Sequence, residues 1–286
     1  MIYRAWAEMP DKLVSLEEAI SEIGDGSLLG LGGRTLHRAP MAAVREIVRQ
    51  GLRGLGVVKT GAGGLDVDLL AGAGALSWAI FGSITLEPPF GLAPNFRRAI
   101  ENGRLKPVEH TCYTMIMGLG ASAFGVPFMP VGHIESDIVK TADLRRVVDP
   151  YTGREVLVVK AIRPDFAILH VHVADKRGNA IIKPPAHGAE DRLLAMAAEE
   201  VIITAEEVID RITDQWAISI PGIYVDHVVE APYGAHPTSM APLYDVDEEH
   251  LRLYIEHCGN EEIFGRYLDR FVRCGHEEYL RLVGAM

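Results

Sequence analysis

Three things are scarce in this sequence, and each scarcity excludes a class of protein. Cysteine comes first: Cys112, Cys258 and Cys274 are the only three, and no two stand in a CxxC pair. This argues against a disulfide framework or a structural zinc site, and it points to a reducing compartment. Positive charge is the second. Lysine and arginine number 28 against 39 acidic residues, a net charge of −11. Without a basic field the chain has little to hold nucleic acid or an anionic membrane surface. The third is a long apolar run. None reaches the roughly 20 residues that span a bilayer. Met1 to Lys12 also carries acidic residues and Pro10 in place of the apolar stretch of a secretion signal. A cytoplasmic protein is the expectation, with neither nucleic acid nor membrane as partner.

What is present suits a globule with a large core. Apolar residues make up 48% and charged residues 23% of 286, enough for one large α/β domain, read here as a single unit over 1–286. The reading centres on residues 28–50. Leu28-Leu29-Gly30-Leu31 is a short apolar strand, Gly32-Gly33 a turn, and Arg34-Thr35-Leu36-His37-Arg38 a polar loop. Pro40 then opens a helix whose Met41, Val44, Ile47 and Val48 share one face. Paired glycines after a buried strand let backbone N–H groups approach an anion with no Cβ in the way.

Elsewhere strands alternate with helices. Ser15 and Glu18 have capping-box spacing. Strands are expected at 54–60, 76–84, 107–109, 156–162, 166–174, 201–204 and 225–230. Helices are expected at 66–74, 94–102, 114–124, 192–200 and 206–214, and again from Asp247 onward. The pattern predicts an open, mostly parallel sheet with helices on both faces. In such folds function collects in loops at the carboxyl ends of strands. The glycine-rich turns at 30–33 and 61–64 fail the dinucleotide pattern, because Arg34, Thr35 and Leu36 stand where a third glycine belongs. No Gly-Lys-Ser/Thr is present for a phosphate loop.

Several polar residues remain as candidates. His170 and His172 share a strand face and could ligate a metal with His133, Glu135 or Asp175. The stronger reading is two hydrogen-bonded rings inside a sheet, and no metal is assigned. Glu101-Asn102-Gly103 imitates a catalytic Glu-x-Gly but sits where a helix needs a C-cap. Glu87, after an apolar strand and before Pro88-Pro89, is better placed, as are Glu135 and Ser136 in the 132–137 loop. Glu230 reads equally well as a ligand-facing group or as a strand-end carboxylate bonded to loop N–H groups.

Taken together, several segments resemble the α subunit of family I CoA-transferases, that of glutaconate CoA-transferase in particular. They are Gly30-Leu31-Gly32-Gly33-Arg34, Arg38 to Glu46, Leu86-Glu87 with Pro94 to Ala99, and Gly125 to Pro130. Ser136-Asp137-Ile138, His172 to Asp175 with Gly178 to Ala180, and Val228 to Pro237 continue the match in the family's order. The resemblance implies a CoA-transferase or ribose-isomerase-like fold. It also implies a coenzyme A thioester as substrate, no permanently bound cofactor, and a β subunit in an αβ heteromer, α2β2 or larger. In the family a glutamate on that β chain attacks the thioester and holds CoA as a glutamyl-CoA thioester. This chain would then have no nucleophile of its own and would shape the acyl pocket. Gly32 and Gly33 amides are expected to stabilise an oxyanion, an effect worth roughly 3–4 kcal/mol in other enzymes. Arg34 and Ser83 are expected to position a substrate carboxylate. A related branch opens a ring in steroid-derived CoA thioesters with an acidic residue of its own α-like chain. That branch's Asp-Glu pair is replaced by Thr111-Cys112 here, a departure that counts against the ring-hydrolase reading, although Glu109 lies nearby and could substitute. A non-catalytic ligand-binding domain of the same superfold is the third reading.

Overall fold

The computed structural model describes residues 10–185 and 190–285. Residues 1–9, most of the stretch considered for a secretion signal, lie outside the described residues. Helix α1 (Leu16–Ser21) starts at the expected reciprocal cap: Glu18 N–H donates to Ser15 Oγ, and Ser15 N–H donates to Glu18 Oε2. Strand β1 (Leu28–Leu31) follows, then α2 (Met41–Gln50), closed by Gly51 at φ +79°. Strand β2 (Leu55–Gly63), helix α3 (Leu65–Gly72) and strand β3 (Leu76–Glu87) come next. The short β4 (Gly91–Leu92), helix α4 (Pro94–Glu101), strand β5 (Lys106–Glu109) and helix α5 (Cys112–Ala123) complete the first half.

The second half opens with β6 (Phe128–Val131), α6 (Ile138–Thr141), β7 (Arg145–Val148) and β8 (Glu155–Lys160). Then come β9 (Phe166–Asp175), β10 (Ala180–Ile181), α7 (Asp191–Ala197), β11 (Glu200–Ile209) and β12 (His227–Glu230). Helices α8 (Glu248–His257), α9 (Glu261–Phe271) and α10 (His276–Leu282) end the described chain.

The main sheet runs β12-β11-β9-β1-β2-β3-β4, with β10 on β9 and β5 on β3. All its pairings are parallel except those of β4 and β10. Side chains alternate between its faces. Leu29, Leu31, Val57 and Ile168 join one core with α1 to α4 and the three C-terminal helices. Val58, Ala167 and Leu169 join the other with Met115 and Leu119 of α5 and Leu194 of α7. This is the two-faced parallel sheet expected from the sequence.

Three differences matter. The expected helix over 206–214 is strand through Ile209, with Glu207, Val208 and Ile209 in register with Val173, Ala174 and Asp175. Strand β9 is buried along its whole length, so its backbone needs a partner to the end, and β-branched Val208 and Ile209 suit a strand. The 61–64 loop is largely strand too, with a register shift between Lys59 and Ala62 where Gly61 takes φ +64°. Finally, β8 does not join the main sheet. It pairs antiparallel with β6 and β7 around a small core of Val131, Leu144, Leu157 and Val159.

Candidate functional site

The carboxyl ends of β1, β2 and β3 meet in one rim. A buried ion pair supports it: Lys59 Nζ lies 2.6 Å from Asp66 Oδ2, both side chains fully enclosed, and Lys59 also donates to the Gly32 carbonyl. Asp66 Oδ1 in turn accepts the Gly64 and Val67 N–H groups. The turn after β1 is thereby tied to the bulge after β2.

The loop from Gly32 to Arg38 is held from several sides. Arg34 and His37 exchange backbone hydrogen bonds of 2.8 and 2.7 Å, Thr35 N–H donates to Ala62 O, and Arg38 N–H donates to Ser239 O. Two of its non-glycine residues occupy the left-handed region, Thr35 at φ +45° and Arg38 at φ +54°. A third, Glu87 at φ +61°, ends β3 directly opposite. Strain concentrated in this way persists only where the surroundings over-determine the backbone. Thr35 Oγ1 donates to Glu87 Oε1, and His37 Nε2 stands 3.8 Å from Glu87 Oε2. The His37 ring is oriented by Ser239, whose Oγ lies 2.7 Å from Nδ1. The Glu87 side chain remains 36% exposed and that of His37 28%, so both are oriented from behind and open in front.

Arg34 is exposed beside Gly61. Ser83, also exposed, is in register with Ala62, whose carbonyl holds Thr35. Arg34, Ser83 and Glu87 are therefore brought to one rim. Glu135 and Ser136 belong to another element: Glu135 Oε1 sits 2.8 Å from His133 Nε2, and Ser136 Oγ accepts the Ile138 N–H that begins α6.

The two glycine amides need correction. Gly32 N–H donates to Ile168 O and Gly33 N–H to Asp191 Oδ1, each at 2.9 Å. Both point into the protein, and neither is available to an oxyanion. The glycines are there for clearance. A Cβ on Gly32 would lie 2.5 Å from Asp191 Oδ1, and one on Gly33, at φ +69°, would lie 2.4 Å from Arg38 O. Asp191 itself is paired with Arg38 at 2.6 Å, both side chains 3% exposed.

The histidines of β9 are structural. His170 is fully buried between Thr204 and Glu206, 2.8 Å from each. His172 Nε2 lies 2.8 Å from Ala241 O, and its Nδ1 accepts the Lys183 N–H. Among the described residues no three His, Cys, Asp or Glu side chains gather as a metal site. Burial would raise the Glu206 carboxyl, but hydrogen bonds from His170, Tyr244 and the Tyr233 N–H leave it below its ordinary value. Glu101 pairs with Arg97 on an exposed helix face, and Glu230 accepts the Val208 N–H, a strand-end role. Sequence reasoning missed Thr35, His37 and Asp191 as groups that shape the rim. The polar residues at 34–38, immediately after the paired glycines, were the signal for the first two.

The profile of the family described as coenzyme A transferase matches residues 13–231. The chain is 33% identical to the first of the two subunits of glutaconate CoA-transferase from Acidaminococcus fermentans, over 96% of this chain and 92% of that one. The crystal structure of that enzyme superposes with a TM-score of 0.88, over 96% of this chain and 93% of the other. Identity to the cholesterol ring-cleaving hydrolase IpdA subunit of Mycobacterium tuberculosis is 32%, over 95% of this chain and 96% of that one. The crystal structure of a variant of the decarboxylase AibA/AibB matches at 38% identity with a TM-score of 0.81, over 90% of this chain and 98% of the other. An uncharacterised protein of Archaeoglobus fulgidus is 38% identical over 99% of this chain, which spans 66% of that protein's length.

Proposed function

The chain belongs to the coenzyme A transferase family, and from that premise we propose that it is the α-type subunit of a two-chain enzyme moving CoA between an acyl-CoA and a small mono- or dicarboxylic acid. A glutamate of the β-type partner attacks the thioester carbonyl and displaces the CoA thiolate. The thiolate then attacks the glutamyl carbonyl and releases the first acid, leaving CoA on the glutamate. An incoming carboxylate reverses both steps and leaves as the new acyl-CoA.

The observation that carries this reading is the open rim. Arg34 and Ser83 are exposed there, while the Glu87 carboxylate is held by Thr35 and faced by His37. In this arrangement Arg34 takes the substrate carboxylate in a two-point hydrogen bond. Ser83 supplies a hydroxyl beside it, and Glu87 fixes the loop that carries Arg34. Glu135 and Ser136 would reach the substrate only from the loop after β6. Incubating the two-chain complex with acyl-CoA and acetate should yield acetyl-CoA. Borohydride trapping followed by peptide mapping should place the modified glutamate on the partner. An adduct on this chain overturns the assignment. Arg34→Ala in the complex should raise KM for the acceptor acid at least ten-fold with a smaller change in kcat.

A second reading, hydrolysis of a CoA ester, is favoured by one observation. Cys112 begins α5 with its Sγ 3.4 Å from Gly61 O, close to Arg34; Thr111-Cys112 lacks the acidic pair of the ring-opening branch, and exposed Glu109 just before it is the acid that would have to stand in. Free CoA or a ring-opened CoA product in place of acetyl-CoA would select it.

A further inference from the structure

At the amino-terminal ends of β1, β3 and β5 lies a cavity of about 690 Å³. Its floor is made of in-register neighbours of β3 and β5, Trp78 beside Lys106 and Ile80 beside Val108. In-register side chains project to one face, so this floor is a continuous apolar surface edged by an ammonium group. The opposite wall is the end of β8 and the segment after it, with Val159 and Ile162 buried and Lys160 and Arg163 exposed. The Trp78 ring lies over Gly56, where a Cβ would come within 2.3 Å of it.

The charges of this cavity are one-sided. Lys106, Lys160 and Arg163 line it, and among the described residues none of the three stands within ion-pair distance of a carboxylate. The acid in the lining, Asp143, is engaged by Arg145 at 2.6 Å. His110 adds no charge near neutrality, because burial lowers its pKa to about 4. The chain carries a net charge of −11, so three cations around one cavity, with the lone acid there already paired, run against its overall balance. What sets these three cations apart is that they converge on one apolar floor, an arrangement that suits an anion with an apolar tail. The volume falls within the range of small-molecule sites. Apart from the charges, few polar groups line it (Ser77 and His110), too few to read a base or a sugar.

We propose that this cavity binds a small amphipathic anion, an alkyl chain lying on Trp78, Ile80 and Val108 with its carboxylate or phosphate held by Lys106, Lys160 and Arg163. The two head groups share one chemistry, and titration separates them. The proposal does not depend on the CoA-transfer reading.

Isothermal titration of the 286-residue chain with decanoate and with decyl phosphate should give one saturable site, and the tighter of the two identifies the head group. Decanol should bind at least ten-fold more weakly, and AMP weakly or not at all. Charge reversal in the double variant Lys160→Glu and Arg163→Glu alters only exposed side chains and should weaken the anion at least ten-fold, with an unchanged circular dichroism spectrum. Should that variant fail to fold, Lys106→Gln provides the same test, with an expected weakening of several-fold. Absence of saturable binding by either anion overturns the proposal. Decanol binding as tightly as decanoate, AMP binding more tightly than either alkyl anion, or a folded charge-reversed chain of unchanged affinity would each do the same.

Discussion

Gly33 and Asp191 show how much of this rim is decided by single atoms. Gly33 sits at φ +69° with the Arg38 carbonyl where a Cβ would be, so no rotamer change relieves a substitution. Left-handed backbone alone costs an L-residue about 1–2 kcal/mol, and the clash adds to it. Gly33→Ala should therefore lower stability by more than about 2 kcal/mol in urea titration and disturb the Arg34 loop. Asp191 accepts the Gly33 N–H while neutralising buried Arg38. Breaking a buried pair by removing one member typically costs about 3–5 kcal/mol. Asp191→Ala should lose that much, and the double variant Arg38→Met with Asp191→Leu should recover most of it. A double variant as unstable as Asp191→Ala would show that the pair itself, rather than the stranded charge, supplies the stability. None of this was visible in Gly32-Gly33 as letters. The sequence suggested free amides, but their partners, Ile168 O and Asp191, are far away in the chain.

At the scale of elements, legibility followed the local signal. The cap at Ser15, the helix after Pro40 and the buried strand at Phe166–Asp175 rest on side chains within one turn or one strand, and each stands where expected. The 206–214 segment failed because its apolar spacing suits a helix, whereas the demand that made it a strand comes from β9. Strands β6 and β7 escaped notice for a different reason: Pro130 interrupts one run, and β7 pairs only with β8 outside the main sheet. The junction of α3 with α8 was invisible for the same non-local reason. There Asp68 accepts hydrogen bonds from Tyr254, from the Phe96 N–H and from Asn95, and burial raises its pKa to about 6. A carboxyl raised in the folded state binds its proton more tightly there than in the unfolded chain. Its contribution is thus present below pH 4 and lost as pH rises to 6, by about 3 kcal/mol. Asp68→Asn removes that titration. Its stability relative to the parent should improve by about that amount between pH 4 and pH 6.5, as read from paired urea titrations. A difference that stays constant with pH would refute the assignment.

For the molecule as a whole, acid is the condition that tests how the C-terminal helices are fastened. Arg45 of α2 stacks on Tyr279 of α10 at 3.6 Å, and His236 bridges the Tyr279 hydroxyl and Asp247. His250 lies in the same cluster, its Nε2 2.8 Å from the Tyr267 hydroxyl. Burial lowers His250 to about 4, with His236 adding to it, and His276 to about 4, with Arg45 adding to it, and burial alone does so for His110. A histidine lowered in the folded state takes up its proton first in the unfolded chain. Stability is therefore intact above pH 6.5 and drains away as pH falls toward 4. Each group contributes up to about 3 kcal/mol of that loss. Asp68 runs the other way over the same interval but is one group against three. The net loss is of the same order as the 5–15 kcal/mol that holds a typical domain. The urea midpoint should fall steeply between pH 6.5 and pH 4.5, and near the lower value the chain should unfold without denaturant. His250→Gln should remove nearly half of that net slope while leaving the pH 7.5 midpoint less affected than the pH 5 one. A midpoint flat from pH 7 to pH 4.5 would mean that these rings accept protons without giving up their places, and that the C-terminal helices are held by packing alone.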